Sequence, residues 1–137
     1  VNDGMGAYVA NQTVKKLSKQ KVDILKARIL ILGVTFKENC PDIRNTKVVD
    51  IKNELEDFGV NVDVYDPLAN SKDVKLEYDF DLIKQPVQGN YDVVMLAVGH
   101  DCFKDMSHFE LRKFGKSTHL FFDLKSTFDK SNSDFRL

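Results

Sequence analysis

Two cations, Lys37 and Arg44, lie in the stretch Thr35-Phe36-Lys37-Glu38-Asn39-Cys40-Pro41-Asp42-Ile43-Arg44-Asn45-Thr46, between an apolar run and a helical pattern. The first turn of a helix presents unpaired N–H groups and the positive end of its dipole, so basic side chains beside it favour an anion, a phosphate or pyrophosphate above all. The same two charges could instead pair on the surface with Glu38, Asp42 or Asp50. A third cation, Lys125, ends the run Phe121-Phe122-Asp123-Leu124-Lys125, where it can converge with Lys37 on one anion or simply open a solvated loop. Cys40 lies near Lys37, and a cation favours the thiolate, but no histidine is close in sequence to activate it and a loop thiol is the simpler reading. His100 follows an apolar run, at a place where a base can sit; a helix-capping or surface histidine is the more common outcome. Gly4-Met5-Gly6 lacks the preceding strand that a dinucleotide fingerprint needs, so its glycines read as packing positions.

The elements that must position these groups follow from hydrophobic periodicity. Runs at 28–34, 61–65, 91–98 and 120–124 are apolar on successive residues, the pattern of strands buried on both faces. Between the first two, Val48, Ile51, Leu55 and Phe58 recur at helical spacing with Gly59 just past the end, so 46–58 reads as the helix of a βαβ unit. Ser107 and Glu110 have capping-box spacing ahead of Leu111 and Phe114, which predicts a helix over 107–114. A weaker helical candidate is 81–84. Residues 1–26 carry Met5, Val9, Val14 and Leu17 on one side and Lys15, Lys16, Lys19 and Lys21 on the other, an amphipathic helix. Together these predict an α/β fold, a doubly wound, mostly parallel, Rossmann-like sheet, with ligands expected beyond the carboxyl ends of its strands. The loops there are 35–46, 66–70, 99–103 and 125–128. Residues 129–134 read as a polar, mobile tail.

Composition narrows the classes of function. The 137 residues hold 20 basic and 21 acidic side chains, a formal charge of -1, so nothing favours nucleic acid or an anionic membrane as a partner. The longest apolar stretch is far short of the roughly 18 residues that cross a bilayer, and the first residues carry no basic signal region, so the chain is read as cytoplasmic. Two cysteines without Cys-x-x-Cys spacing, Cys40 and Cys102, suggest neither a disulfide framework nor a metal site.

The run from Ile31-Leu32-Gly33-Val34 through the whole Phe36–Thr46 loop resembles the signature of the C-terminal domain of the UDP-glucose/GDP-mannose dehydrogenase family, in the wording of its UDP-N-acetylhexosamine members. Asn2-Asp3-Gly4-Met5-Gly6, Val64-Tyr65-Asp66-Pro67 and Asp123-Leu124-Lys125 agree with it, so the resemblance spans nearly the whole chain. It implies that residues 1–26 are the C-terminal part of a long central helix that builds a homodimer, and that 27–137 form the UDP-sugar-binding domain. It also implies that Phe36, Lys37 and Lys125 contact the nucleotide sugar and that Arg44 reaches toward NAD. Such enzymes oxidise a sugar C6 alcohol to the carboxylate with two NAD, for surface polysaccharide. The glycine-rich NAD domain and the Gly-Gly-x-Cys segment of the catalytic thiol have no counterpart here, so no catalytic residue is expected in this chain, its partner is the rest of its own polypeptide, and alone it should not turn over. Two other readings are a phosphorelay receiver and a scaffold or regulatory module. A receiver needs an acidic pair after its first strand to hold magnesium, where this chain has Thr35-Phe36-Lys37.

Overall fold

A computed structural model describes residues 4–137. Five strands form one sheet, β1 (Arg28–Leu32), β2 (Asn61–Tyr65), β3 (Tyr91–Leu96), β4 (Gly115–Asp123) and β5 (Phe135–Arg136), in the order β2-β1-β3-β4-β5 with every pair parallel. Five helices accompany them: α1 (Met5–Lys19), α2 (Val48–Asp57), α3 (Ser71–Tyr78), α4 (Asp101–Lys104) and α5 (Ser107–Arg112). Side chains alternate across a strand, so each central strand feeds two cores. Ile29, Ile31, Val93, Met95 and Phe122 pack with Val9 and Leu17 of α1 and Ile51 and Leu55 of α2. Leu30, Leu32, Val94, Leu96 and Phe121 pack on the other face with Phe103 of α4 and Leu111 of α5. This is the doubly wound sheet that the apolar runs imply.

Helix α1 is built into the first of these layers. Its Val9, Ala10 and Leu17 are buried, and a Cβ on Gly6 would stand 2.9 Å from the Cβ of Asp50 in α2, so glycine there lets the two helices touch. Asn2 and Asp3 of the Asn2-Asp3-Gly4 motif lie outside the described residues.

Several elements differ from the sequence expectation. The 81–84 segment is not helical; the helix lies earlier, at α3, where Asn70 accepts N–H bonds from Lys72 and Asp73 as N-cap and Asp79, in the left-handed region, ends it. Apolar periodicity misses α3 because only Val74 on it is buried while Leu76 is exposed. The later segment runs along the outer side of β2, with Ile83 N–H donating to the Val64 carbonyl at 3.0 Å. Residues 129–134 are not a loose tail. Arg112 donates to the Asn132 carbonyl and the Asp134 carboxylate, and Asp134 in turn receives the Phe121 N–H at 2.8 Å, so the segment delivers β5 to the sheet edge. The short α4 occupies part of the stretch read as loop, and β4 begins five residues before the predicted 120.

Gly33 ends β1 at φ +96°, and a Cβ there would meet the Val98 Cβ at 2.6 Å and its amide nitrogen at 2.9 Å. Both the dihedral and the space demand glycine. Gly33→Ala is therefore expected to lower unfolding free energy by at least about 2 kcal/mol. A denaturation midpoint within error of wild type would show that the β1 and β3 ends separate easily.

Candidate functional site

Leu32, Tyr65, Leu96 and Asp123 lie in register across the sheet, so β1 to β4 end on one line and their loops rise from one edge. The chain reverses direction of winding between β1 and β3, which opens a crevice between the loops that follow them. A cavity of about 150 Å³ opens at this crevice, walled by Thr35, Phe36 and Thr46 of the β1 loop, Val98 after β3, and Leu124 and Lys125 after β4. Lys47, at the start of α2, and Met5 of α1 also reach it. A second hollow of about 250 Å³ lies beside it, between Glu38, Gly99, Lys104, Lys125, Ser126 and Thr127. Lys125 borders both.

The structure thus brings Phe36 and Lys125 together and leaves Lys37 and Arg44 outside the walls of that cavity. Phe36 shows 56% of its surface and offers an apolar face at the rim. Neither Lys37 nor Lys125 has an ion-pair partner among the described residues, so both charges remain available to an anion. Arg44 is different. Its guanidinium makes a two-point contact with Asp42, Nε to Oδ1 at 3.0 Å and the terminal nitrogen to Oδ2 at 2.9 Å, one of the surface pairings open in the sequence. That hydrogen bond, with the backbone N–H of Arg44, holds the Asp42 carboxyl down at about 2. Arg44 lies with Leu76 and Glu77 of α3 around a separate surface hollow.

Two buried aspartates fix the loops that carry these groups. Asp66, the residue after β2, accepts Val34 N–H at 2.8 Å, Thr35 N–H at 3.3 Å and His100 Nε2 at 2.9 Å on one oxygen, and Leu68 N–H at 2.9 Å on the other. Burial alone would raise its pKa; the hydrogen bonds from His100, Val34 and Leu68 outweigh burial, and the carboxyl titrates below its ordinary value. Asp123, the last residue of β4, accepts Thr127 N–H at 3.0 Å and Phe128 N–H at 2.8 Å, and so shapes the turn bearing Lys125. Gly99 lets that turn close in, since a Cβ there would stand 2.9 Å from Thr127 Oγ1.

His100 stands at the N-cap position of α4, without a side-chain cap bond, and is neither a surface residue nor an available base: it is fully buried and both ring nitrogens are engaged, Nε2 with Asp66 and Nδ1 with the Asn39 N–H. Of the other histidines, His108 stacks against Phe109 and Phe128 and His119 contacts the Lys116 carbonyl, so none serves the Cys40 thiol. Asp66, Asp123, Lys47 and Lys104 are site-shaping residues that residue type and spacing do not single out. A usable signal existed for the aspartates: each stands at the end of an apolar strand run, where the next loop's N–H groups need an acceptor.

The model of the UDP binding domain of the UDP-glucose/GDP-mannose dehydrogenase family matches residues 30–130. The chain belongs to this family. It is 48% identical over its full 137 residues to the UDP-N-acetyl-D-glucosamine 6-dehydrogenase of Pseudomonas aeruginosa and 41% identical to that of Salmonella typhi, covering 32% of each. It therefore spans about a third of the length of these relatives. Among solved structures, the NDP-N-acetyl-D-galactosaminuronic acid dehydrogenase of Methanosarcina mazei Go1 shares the fold with a TM-score of 0.79 at 21% identity, over 96% of this chain and 27% of that one. The crevice with Phe36 and Lys125 falls inside the matched UDP binding domain.

The lowered Asp66 pKa carries a pH signature. A carboxylate depressed by folding contributes stability that is complete above its unfolded value, near 3.8, and is lost as pH falls through the folded one. Asp66→Asn should cost about 2–4 kcal/mol at pH 7, because an amide cannot accept all four N–H groups. The gap between variant and wild type should narrow as denaturation is repeated from pH 5 downward. A gap independent of pH would mean that the Asp66 charge contributes nothing.

Proposed function

We propose that this chain supplies the nucleotide-sugar-binding part of an NAD-dependent nucleotide-sugar 6-dehydrogenase, which oxidises the C6 alcohol of a UDP-N-acetylhexosamine or UDP-glucose to the uronate for capsule or O-antigen synthesis in the cytoplasm. One observation carries the reading: at the switch point of a family UDP binding domain, Phe36 borders a cavity together with Lys125, and Lys125 and Lys37 have no carboxylate partner among the described residues. An exposed aromatic face suits a flat base or sugar, and two unneutralised ammonium groups suit a diphosphate. Lys37 is assigned to the substrate from its place beside Phe36 in the loop.

The described residues do not form a dinucleotide cradle. The β1–α2 junction has the single glycine Gly33, and Val98 packs directly against it. No hydride-transfer step is assigned to them. Their role in the reaction is to bind and orient the sugar nucleotide, with Arg44, solvent-facing beyond its Asp42 contact, proposed to reach NAD held elsewhere. A homodimer partner would meet the side of α1 that shows Tyr8, Asn11 and Lys15, since the opposite side is packed on α2.

Titration of the chain with UDP, followed by amide chemical shifts, tests the assignment. Affinity of about millimolar is expected, since the cavity of about 150 Å³ is small beside the roughly 300 Å³ or more that encloses a ligand of this size. A charge-assisted contact is worth about 1.5–3 kcal/mol, so Lys37→Ala and Lys125→Ala should each weaken UDP by about tenfold or more. Unchanged binding in both removes the lysines from the site. In a full-length family enzyme carrying this domain, Arg44→Ala should raise the KM for NAD and spare that for the UDP-sugar; the reverse pattern would move Arg44 to the substrate.

A further inference from the structure

The loop that displays Phe36 and Lys37 has no regular secondary structure, yet each turn of it is tied. Phe36 N–H donates to the Asp42 carbonyl at 2.7 Å, and Thr35 Oγ1 donates to the Lys37 carbonyl at 3.0 Å. Tyr78 of α3 donates to the Ile43 carbonyl, and two further anchors come from across the crevice. Asn39 N–H donates to His100 Nδ1 at 2.9 Å, and the Asn39 side-chain oxygen accepts the Asp101 N–H at 2.9 Å. Asn39 itself sits at φ +60°, a conformation asparagine tolerates better than most residues. An imidazole nitrogen that accepts a backbone N–H carries no proton, so the ring proton is on Nε2 and is donated to Asp66 Oδ2. Thr35 Oγ1 stands 3.3 Å from the same Nε2.

We propose that His100, with Asn39, is a positioning pair for the nucleotide-sugar site: Asp66 holds the imidazole as the Nε2–H form, and its bare Nδ1 fixes the Asn39 amide, so that Phe36 and Lys37 are set before the ligand arrives. The proposal rests on the nucleotide-binding reading above. Its physical content is preorganisation, since a loop ordered beforehand leaves less ordering to be done on binding. His100 is fully buried, so it acts through the loop.

The two nitrogens can be separated by substitution. In His100→Asn the amide oxygen falls where Nδ1 was and can accept the Asn39 N–H, but the shorter side chain no longer reaches Asp66. In His100→Gln the amide nitrogen falls near Nε2 and can still donate to Asp66, with nothing at the Nδ1 position. Hydrogen exchange of the Asn39 amide, UDP titration and thermal melting would be read on both. His100→Asn is expected to keep the Asn39 amide protected and UDP affinity within about twofold, whereas His100→Gln exposes the amide and weakens UDP by about fivefold or more. Affinity that simply follows melting temperature in the two variants, or full UDP binding by His100→Gln with the Asn39 amide exposed, overturns the proposal. If neither variant folds, Asn39→Gly decides: it suits the positive φ, removes the side-chain bond to Asp101 and lies on the surface. About threefold weaker UDP at an unchanged melting temperature supports the pair, and unchanged affinity overturns it. Failure of the wild-type chain to bind UDP overturns the nucleotide reading as well, which separates the two failures.

Discussion

The carboxylate of Asp66 gathers the loops that follow three strands. Its two oxygens accept from Val34 and Thr35 after β1, from Leu68 after β2, and from His100 after β3. A parallel sheet ends its strands on one edge but leaves the N–H groups of each departing loop without ladder partners, and a buried N–H without an acceptor costs about as much as a broken hydrogen bond. One buried anion answers several of those demands together, and charge-assisted bonds are the stronger kind. The crevice between β1 and β3 therefore has walls whose relative position is set by a polar centre, on top of apolar packing that would tolerate small shifts. Asp123 repeats the device one strand over, for the turn that carries Lys125.

This constraint explains why the exposed groups can be both accessible and ordered. Phe36, Lys37 and Lys125 sit on loops, where binding groups are commonly found because loops are free to vary on a rigid scaffold. Loop residues are ordinarily the mobile ones. Here the backbone beneath them is tied by Asp66, His100 and Asp123, while the glycines Gly33 and Gly99 allow the loops after β1, β3 and β4 to approach closely enough for those bonds to form. The order of these exposed groups is thus set by buried residues beneath them.

The apolar layers were legible in the sequence because burial on both faces leaves an unmistakable run. Leu30 and Ile31 point to opposite cores and both are fully buried, so residues 28–34 could be read without ambiguity, and the same holds for Val93 and Val94. Gly59, at φ +92°, marked the end of α2 for the reason the sequence suggested. Helix α3 escaped because a helix lying on the surface needs only one buried residue, Val74, and its cap Asn70 looks like any loop asparagine. The C-terminal strand escaped because its anchors are remote in sequence: Arg112 pairs with Asp134, Phe135 rests on Phe122, and no periodicity joins them. The loop 35–46 stood out by length and charge. That Arg44 would face Asp42 while Lys37 would not pair was left open by spacing, since the two lie in the same loop and both have carboxylates within reach.

His100 shows where a residue-type argument fails and an argument from neighbouring atoms succeeds. Histidine after a strand end reads as a base, a helix cap or a surface residue; His100 does stand at the N-cap of α4, but none of these readings contains the side-chain partners that decide the matter. Once Asp66 and the Asn39 N–H are known, the ring has no free nitrogen and no path to solvent, and base chemistry is ruled out on geometry. What is left is an asymmetric connector that donates to Asp66 on one side, which fixes its tautomer, and accepts on the other, which is the side that ties the Asn39 loop. An amide of either length reproduces one side only, and an aliphatic side chain reproduces neither. At this position the requirement is for a flat ring with one donor and one acceptor about 2.2 Å apart, a separation set by imidazole geometry, and histidine alone among the ordinary side chains meets it.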